Sequence, residues 1–121
     1  MAPNSAPNEP TNFRVKEAMA LIQGNLSKKL ALDRVAEQVN LSSSRLRHLF
    51  KEEIGLTPRQ YVKFLRLKLA QELAATTFLS VKEIVSQLGV SDESHFLRDF
   101  KRAFGVTISR YREQSRSQNG Q

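Results

Sequence analysis

The stretch FKEEIGLTPRQY (50–61) returns fifty residues later as FKRAFGVTISRY (100–111), and VAEQVNLS (35–42) returns as IVSQLGVS (84–91) at an offset of 49. Identical pairs are Gln38/Gln87, Ser42/Ser91, Phe50/Phe100, Lys51/Lys101, Gly55/Gly105, Thr57/Thr107 and Tyr61/Tyr111. A 121-residue chain with this internal period must use one supersecondary unit twice. The single residue gained is expected between the Ser cap and the Phe, at the start of the later helix.

The repeated unit reads as helical. In SHFLRDFKRAFG (94–105), Phe96, Phe100 and Phe104 recur every four residues, with Arg98, Lys101 and Arg102 between them. In SRLRHLFKEEIG (44–55), Leu46, Phe50 and Ile54 take the same places. Such spacing makes a helix with one apolar stripe and one basic stripe, and each stretch stops at a glycine. Seven helical segments and no convincing strand can be read. The first runs from about Phe13 to Gln23, with Gly24 beyond its end. The second is marked by Leu32, Val35, Ala36 and Val39, but Ala31 stands where a polar cap belongs. Ser42-Ser43-Ser44 offers a cap for the third. Thr57-Pro58 pairs a capping hydroxyl with proline at the first position of the fourth, which runs to about Ala75. Ser80-Val81-Lys82-Glu83 is a capping box for the fifth. Ser91 is expected to cap the sixth, and Thr107 a short seventh containing Tyr111.

Each copy is thus a short helix, a tight turn, and a longer helix with a basic outer face, which is the helix-turn-helix pattern. Asn40 and Gly89 stand in the two turns, and both residue types tolerate a left-handed backbone. In this motif the second helix enters the DNA major groove while the first crosses the backbone. Net charge is +7 and pI about 10.1, a balance that suits a polyanionic partner.

These residues also carry a family resemblance. From about Val15 to Glu113 the sequence resembles the DNA-binding domain of AraC/XylS-type transcriptional regulators. The strongest part is IVSQLGVSDESHFLRDFKRAFGVTISRYRE (84–113), which follows a GFxDxSYFxRxFKRxxGxTPxxYR type of pattern. It departs from that pattern at Ile108, where proline is usual, at Val90, where an aromatic is usual, and at His95, where tyrosine is common. The resemblance implies a bacterial transcription factor with two recognition helices in successive major grooves on one face of the duplex. It also implies activation through contact with RNA polymerase.

The expected fold class is all-α: seven helices forming two helix-turn-helix subdomains joined by a long central linker helix. The expected boundaries are a disordered tail over 1–12, a first subdomain over 13–57, the linker helix over 58–76, a second subdomain over 77–114 and a disordered tail over 115–121.

Leu46, Leu49 and Phe50 are expected to point inward in the first recognition helix, and Phe96 and Phe100 in the second. Near each helix start and away from those stripes stand Ser44, Arg47 and His48, then Ser94, His95 and Arg98, with Glu93 beside them. They are the candidate base readers, and the resemblance puts the family's base-reading positions at the same residues. Arginine's fork matches the two acceptors of guanine. Glu93 either accepts from a cytosine amine or simply favours the helix start. The serines are alternatively caps, and the histidines and arginines alternatively surface or phosphate-binding groups. Ser42, Arg45, Lys51, Thr57, Arg59, Ser91, Lys101, Arg102, Thr107 and Arg110 are candidate phosphate contacts, which position a protein without carrying sequence information directly.

No catalytic constellation is visible, so no enzyme is expected, and no cofactor either. Cysteine is absent and the two histidines lack metal-ligand spacing, so no metal site is expected. No apolar run approaches the roughly 20 residues of a spanning helix, and MAPNSAPNEPTN lacks the features of a signal peptide. A cytoplasmic, nucleoid-associated location is expected. The reading is a sequence-specific, double-stranded-DNA-binding regulator, monomeric as this segment, with reading heads about one helical turn apart. The rival is a basic helical module that binds an acidic protein partner, or DNA without sequence preference.

Overall fold

The computed structural model describes residues 7–118. Among them the chain forms seven helices and no strand: α1 (Phe13–Gln23), α2 (Leu32–Gln38), α3 (Ser43–Ile54), α4 (Pro58–Thr76), α5 (Val81–Ser86), α6 (Glu93–Phe104) and α7 (Ile108–Gln118). The caps explain most of the boundaries. Asn12 accepts from the Arg14 amide, Ser42 from that of Arg45, and Thr107 from that of Arg110. Thr57 with Gln60, and Ser80 with Glu83, close reciprocal capping boxes. Ala31 precedes α2 with no side-chain cap, as its chemistry dictates. Gly55 and Gly105 end α3 and α6 in the left-handed region, at φ 84° and 82°.

One cap differs from expectation. Asp92, not Ser91, accepts from the His95 amide at 3.0 Å and starts α6. Asp92 is equivalent to Ser42 in the same register that pairs Phe50 with Phe100. The extra residue of the second copy is therefore Ser91 itself, and it lies in the turn, before the cap rather than after it. The turns otherwise correspond, with Asn40 at φ 59° and Gly89 at φ 66°.

Two cores form. In the first, Val15, Ala18 and Ile22 of α1 meet Val35 and Ala36 of α2, Leu46, Phe50 and Ile54 of α3, and Tyr61 and Val62 of α4. In the second, Leu67, Ala70 and Ala74 of α4 meet Ile84 and Val85 of α5, Phe96 and Phe100 of α6, and Ile108 of α7. The spacing 15/18/22 recurs as 67/70/74, so α4 stands in the second core where α1 stands in the first. Its N-terminal half plays the part that α7 plays for the second core. Pro58 and Tyr61 correspond to Ile108 and Tyr111, and the Phe50–Tyr61 edge contact at 5.7 Å corresponds to Phe100–Tyr111 at 6.3 Å. At about 100° per residue, Leu67, Ala70 and Ala74 fall on the far side of the rod from Tyr61. The molecule is therefore two overlapping four-helix units that share α4. Ile108 is 2% exposed, so isoleucine at this position fills the second core.

The ends also differ from expectation. Residues 8–12, expected within a loose tail, lie against α3. The Asn8 amide donates to the Ile54 carbonyl, while the amides of Thr11 and Asn12 donate to the Glu53 carboxylate at 2.7 and 2.9 Å. At the other end, α7 continues through the segment expected to be loose as far as Gln118. Residues 1–6 and 119–121, also expected to be disordered, lie outside the described residues. No helix among the described residues is long and apolar enough to cross a membrane.

Candidate nucleic-acid interface

Helices α3 and α6 are each 12 residues long and bury one stripe. In α3, Leu46, Phe50 and Ile54 face the core; Ser44, Arg45, Arg47, His48 and Lys51 are exposed. In α6, Phe96 and Phe100 face the core; Glu93, Ser94, His95, Arg98, Lys101 and Arg102 are exposed. Every candidate base reader is thus on the outer surface of one of these helices. The two outer faces are not copies: Ser44 matches Ser94, but His48 matches Arg98 and Arg47 matches Leu97. Two heads of different chemistry suit an asymmetric target.

The candidate phosphate contacts divide by what already holds them. The Lys51 ammonium donates to the Gly55 carbonyl at 3.2 Å, across the C-terminus of α3. Arg110 pairs with Glu113 at 3.6 Å, both groups well exposed. Arg45 and Arg59 are exposed, and Ser42, Thr57 and Thr107 act as caps. Ser91, no cap here, is an exposed turn residue.

Sequence reasoning missed Asp99, the one buried charged residue among those described, which is 5% exposed. Its position in α6 corresponds to half-buried Leu49 in α3. Three polar groups surround its carboxylate: the Lys63 ammonium of α4 at 3.3 Å, the His95 Nε2 at 3.3 Å and the Arg102 guanidinium at 3.5 Å. A carboxylate out of water persists only with such partners. The advance signal was an acidic residue on the apolar side of the helix, next to Phe100. The cluster has a direct bearing on the interface. One candidate base reader and one candidate phosphate contact are both held by the same buried carboxylate. A base contact through the Nε2 of His95 must break its pairing with Asp99.

Asp99 also lines a cleft of about 720 Å³ between the two cores. Arg59, Lys63 and Arg66 of α4 line it with the turn residues Gly89 and Ser91. Arg66 turns into this region and donates to the carbonyls of Leu26 and Lys28 in the loop between α1 and α2. Burial pushes its pKa below the ordinary arginine value. No group of acidic residues and histidines able to hold a metal ion occurs among the described residues.

Known proteins share this arrangement. A family model described as a helix-turn-helix domain matches residues 35–114. The lactose operon transcription activator of Staphylococcus xylosus is 31% identical over 101 residues, covering 84% of this chain and 36% of that protein. A transcriptional regulator of Chromobacterium violaceum, described as having an AraC-type DNA-binding domain, superposes with a TM-score of 0.78. It is 31% identical, and the match covers 84% of this chain and 91% of that one. The DNA-binding domain of AdpA, solved with a target DNA, has a TM-score of 0.82 over 89% of this chain and 97% of its own. At 23% identity it shows the fold alone. The chain spans only 13% to 38% of the length of curated relatives that it matches, the lactose operon activator among them.

Proposed function

The chain belongs to the AraC-type helix-turn-helix family, and from that premise we propose that it is a sequence-specific reader of double-stranded DNA that regulates transcription. The observation that carries the reading is the duplicated unit, in which two capped helices each turn a polar, largely basic face to solvent.

In this reading, residues 13–57 and 77–114 are the two heads and 58–76 the spacer. Ser44, Arg47 and His48 face bases from α3, and Glu93, Ser94, His95 and Arg98 from α6. Arg45, Lys51, Arg59, Lys101, Arg102 and Arg110 meet phosphates. Ser42, Thr57 and Thr107, with the amides at their helix starts, do the same, as does Ser91 from the turn. Helix N-termini favour such anions. One chain carries both heads, so a monomer suffices for a site whose halves lie about 10–10.5 base pairs apart. Contact with RNA polymerase and a nucleoid-associated, cytoplasmic location belong to the same proposal.

A reader and a clamp respond differently to truncation. Arg98→Ala is expected to weaken a specific site by about 1–3 kcal/mol while leaving random duplex little changed. Lys101→Ala should weaken both alike. Titrating each variant on both duplexes is the test, and equal losses for Arg98→Ala would remove it from the base readers.

A further inference from the structure

The two turns of the repeat differ in one residue for a reason that lies outside the turn. Asn40 and Gly89 both adopt the left-handed conformation, and asparagine tolerates it. Conformation alone therefore does not require glycine at 89. Space does. A Cβ on Gly89 would stand 2.7 Å from the Lys28 carbonyl oxygen, 2.8 Å from that of Leu26 and 2.9 Å from the Lys28 carbonyl carbon. All three are backbone atoms and cannot swing aside. The other left-handed glycines have room: nothing lies within 4 Å of a Cβ at Gly105, and only the Asn8 side chain approaches one at Gly55.

The same two carbonyls are held by Arg66. Its Nη2 donates to Lys28 at 2.9 Å and to Leu26 at 3.3 Å, and its Nε lies 3.4 Å from Leu26. Arg66 projects from the shared helix α4. The loop 26–28 belongs to the first unit, and Gly89 is the turn of the second. The loop is thus tied to α4 by a guanidinium and abutted by the turn that aims α6. Fork geometry makes the tie directional, which a lysine would not achieve.

We propose that the junction of Arg66, loop 26–28 and Gly89 is an interlobe clamp that fixes α6 relative to α3 and so sets the half-site spacing the protein accepts. Arg66 and Gly89 are positioning residues in this scheme and touch no base. Because one chain carries both heads, engagement of the second is an intramolecular event with a gain of about 10²- to 10⁴-fold over one head alone, and fixing the heads concentrates that gain at the matching spacing. Loosening the clamp lowers that gain and flattens its dependence on spacing. The spacing claim rests on the DNA-reading function proposed above, whereas the fixing of the lobes does not.

Two measurements separate these. The chain has no cysteine, so Glu37→Cys in α2 and Lys82→Cys in α5, both exposed, accept spin labels for a distance distribution without DNA. Gly89→Asn and Arg66→Gln are each expected to shift or broaden that distribution, while Gly105→Asn leaves it unchanged. An unchanged distribution in folded Arg66→Gln overturns the clamp even where Gly89→Asn fails to fold. The second measurement uses duplexes carrying one block, two blocks at the selected spacing, or two blocks with one or two base pairs inserted. The clamp variants are expected to bind single blocks like the parent, to lose about tenfold or more of the two-block gain, and to discriminate less among spacings. Equal losses on single-block and two-block duplexes would mean a local turn defect and overturn the spacing role. Absence of two-block binding by the parent chain would refute the DNA reading, leaving the label distances to decide the clamp.

Discussion

Replacing Asp99 by asparagine tests how the interface is held before DNA arrives. The substitution keeps the shape and removes the charge around which Lys63, His95 and Arg102 gather. Breaking a buried ion pair is costly when a buried charge is left behind. Here the charge that is buried is the one removed, and the side chains left, Lys63, His95 and Arg102, are 41%, 61% and 69% exposed. Each is screened and can rehydrate, so folding stability should change by no more than about 1 kcal/mol. The larger effect should appear on DNA. Lys63 becomes free to meet a phosphate, Arg102 meets its own without a competing carboxylate, and a new phosphate contact steepens the slope of log affinity against log salt by about 0.9. Between about 50 and about 200 mM salt, one such contact multiplies the fall in affinity by about 3.5. Fluorescence anisotropy on a random duplex across that range measures the slope directly. The variant should bind random DNA more tightly at low salt and lose affinity more steeply as salt rises. An unchanged slope with unchanged affinity would refute the idea that Asp99 withholds these cations. Weaker binding at every salt concentration would mean that Asp99 instead organises α6.

Two further outcomes follow from the helix ends. Ala31 leaves α2 without a side-chain cap, so Ala31→Ser should raise stability by about 0.5–2 kcal/mol in chemical denaturation; no gain would mean the strand-like entry to α2 cannot seat a cap. The Glu53 carboxylate accepts from the Asn12 amide, the Thr11 amide and the Thr11 hydroxyl, in that order of effect, which holds its pKa below the ordinary 4.5. A carboxyl with a depressed folded pKa contributes stability above its unfolded value and loses it as pH falls through the folded one. The amide resonances of Thr11 and Asn12 should therefore titrate together with a midpoint below 4.5, and a midpoint at the ordinary value would show that these bonds do not form in solution.

Local chemistry was legible in the sequence and long-range chemistry was not. Thr57-Pro58 and Ser80 to Glu83 announced their helices because a cap and its partner lie within four residues. The glycine stops were legible for the same reason. Ser91 misled because Asp92, an equally good cap, stands beside it and only the backbone decides between them. The outer faces of α3 and α6 followed from periodicity, so all seven candidate base readers fall on exposed surface. Arg66 was unreadable because its partners, the carbonyls of Leu26 and Lys28, lie about forty residues away, and the burial of Asp99 was missed because its α4 partner Lys63 lies 36 residues off, although His95 and Arg102 are on its own helix. The segment 8–12 looked like a tail by composition, yet the acceptor that orders it, Glu53, lies more than forty residues on. The double duty of α4 was hidden for a related reason. Its two apolar faces lie on opposite sides of one helix, and only the two cores that claim them show that the helix serves both units.

The central claim is that two different heads in one chain read duplex sequence. Selection from a random duplex library at near-physiological salt, followed by sequencing of the bound pool, tests it most directly. The account predicts two short, dissimilar blocks with centres about 10–10.5 base pairs apart. A single enriched block would contradict the two-headed reading, and a pool that binds without any enrichment would contradict sequence-specific recognition altogether.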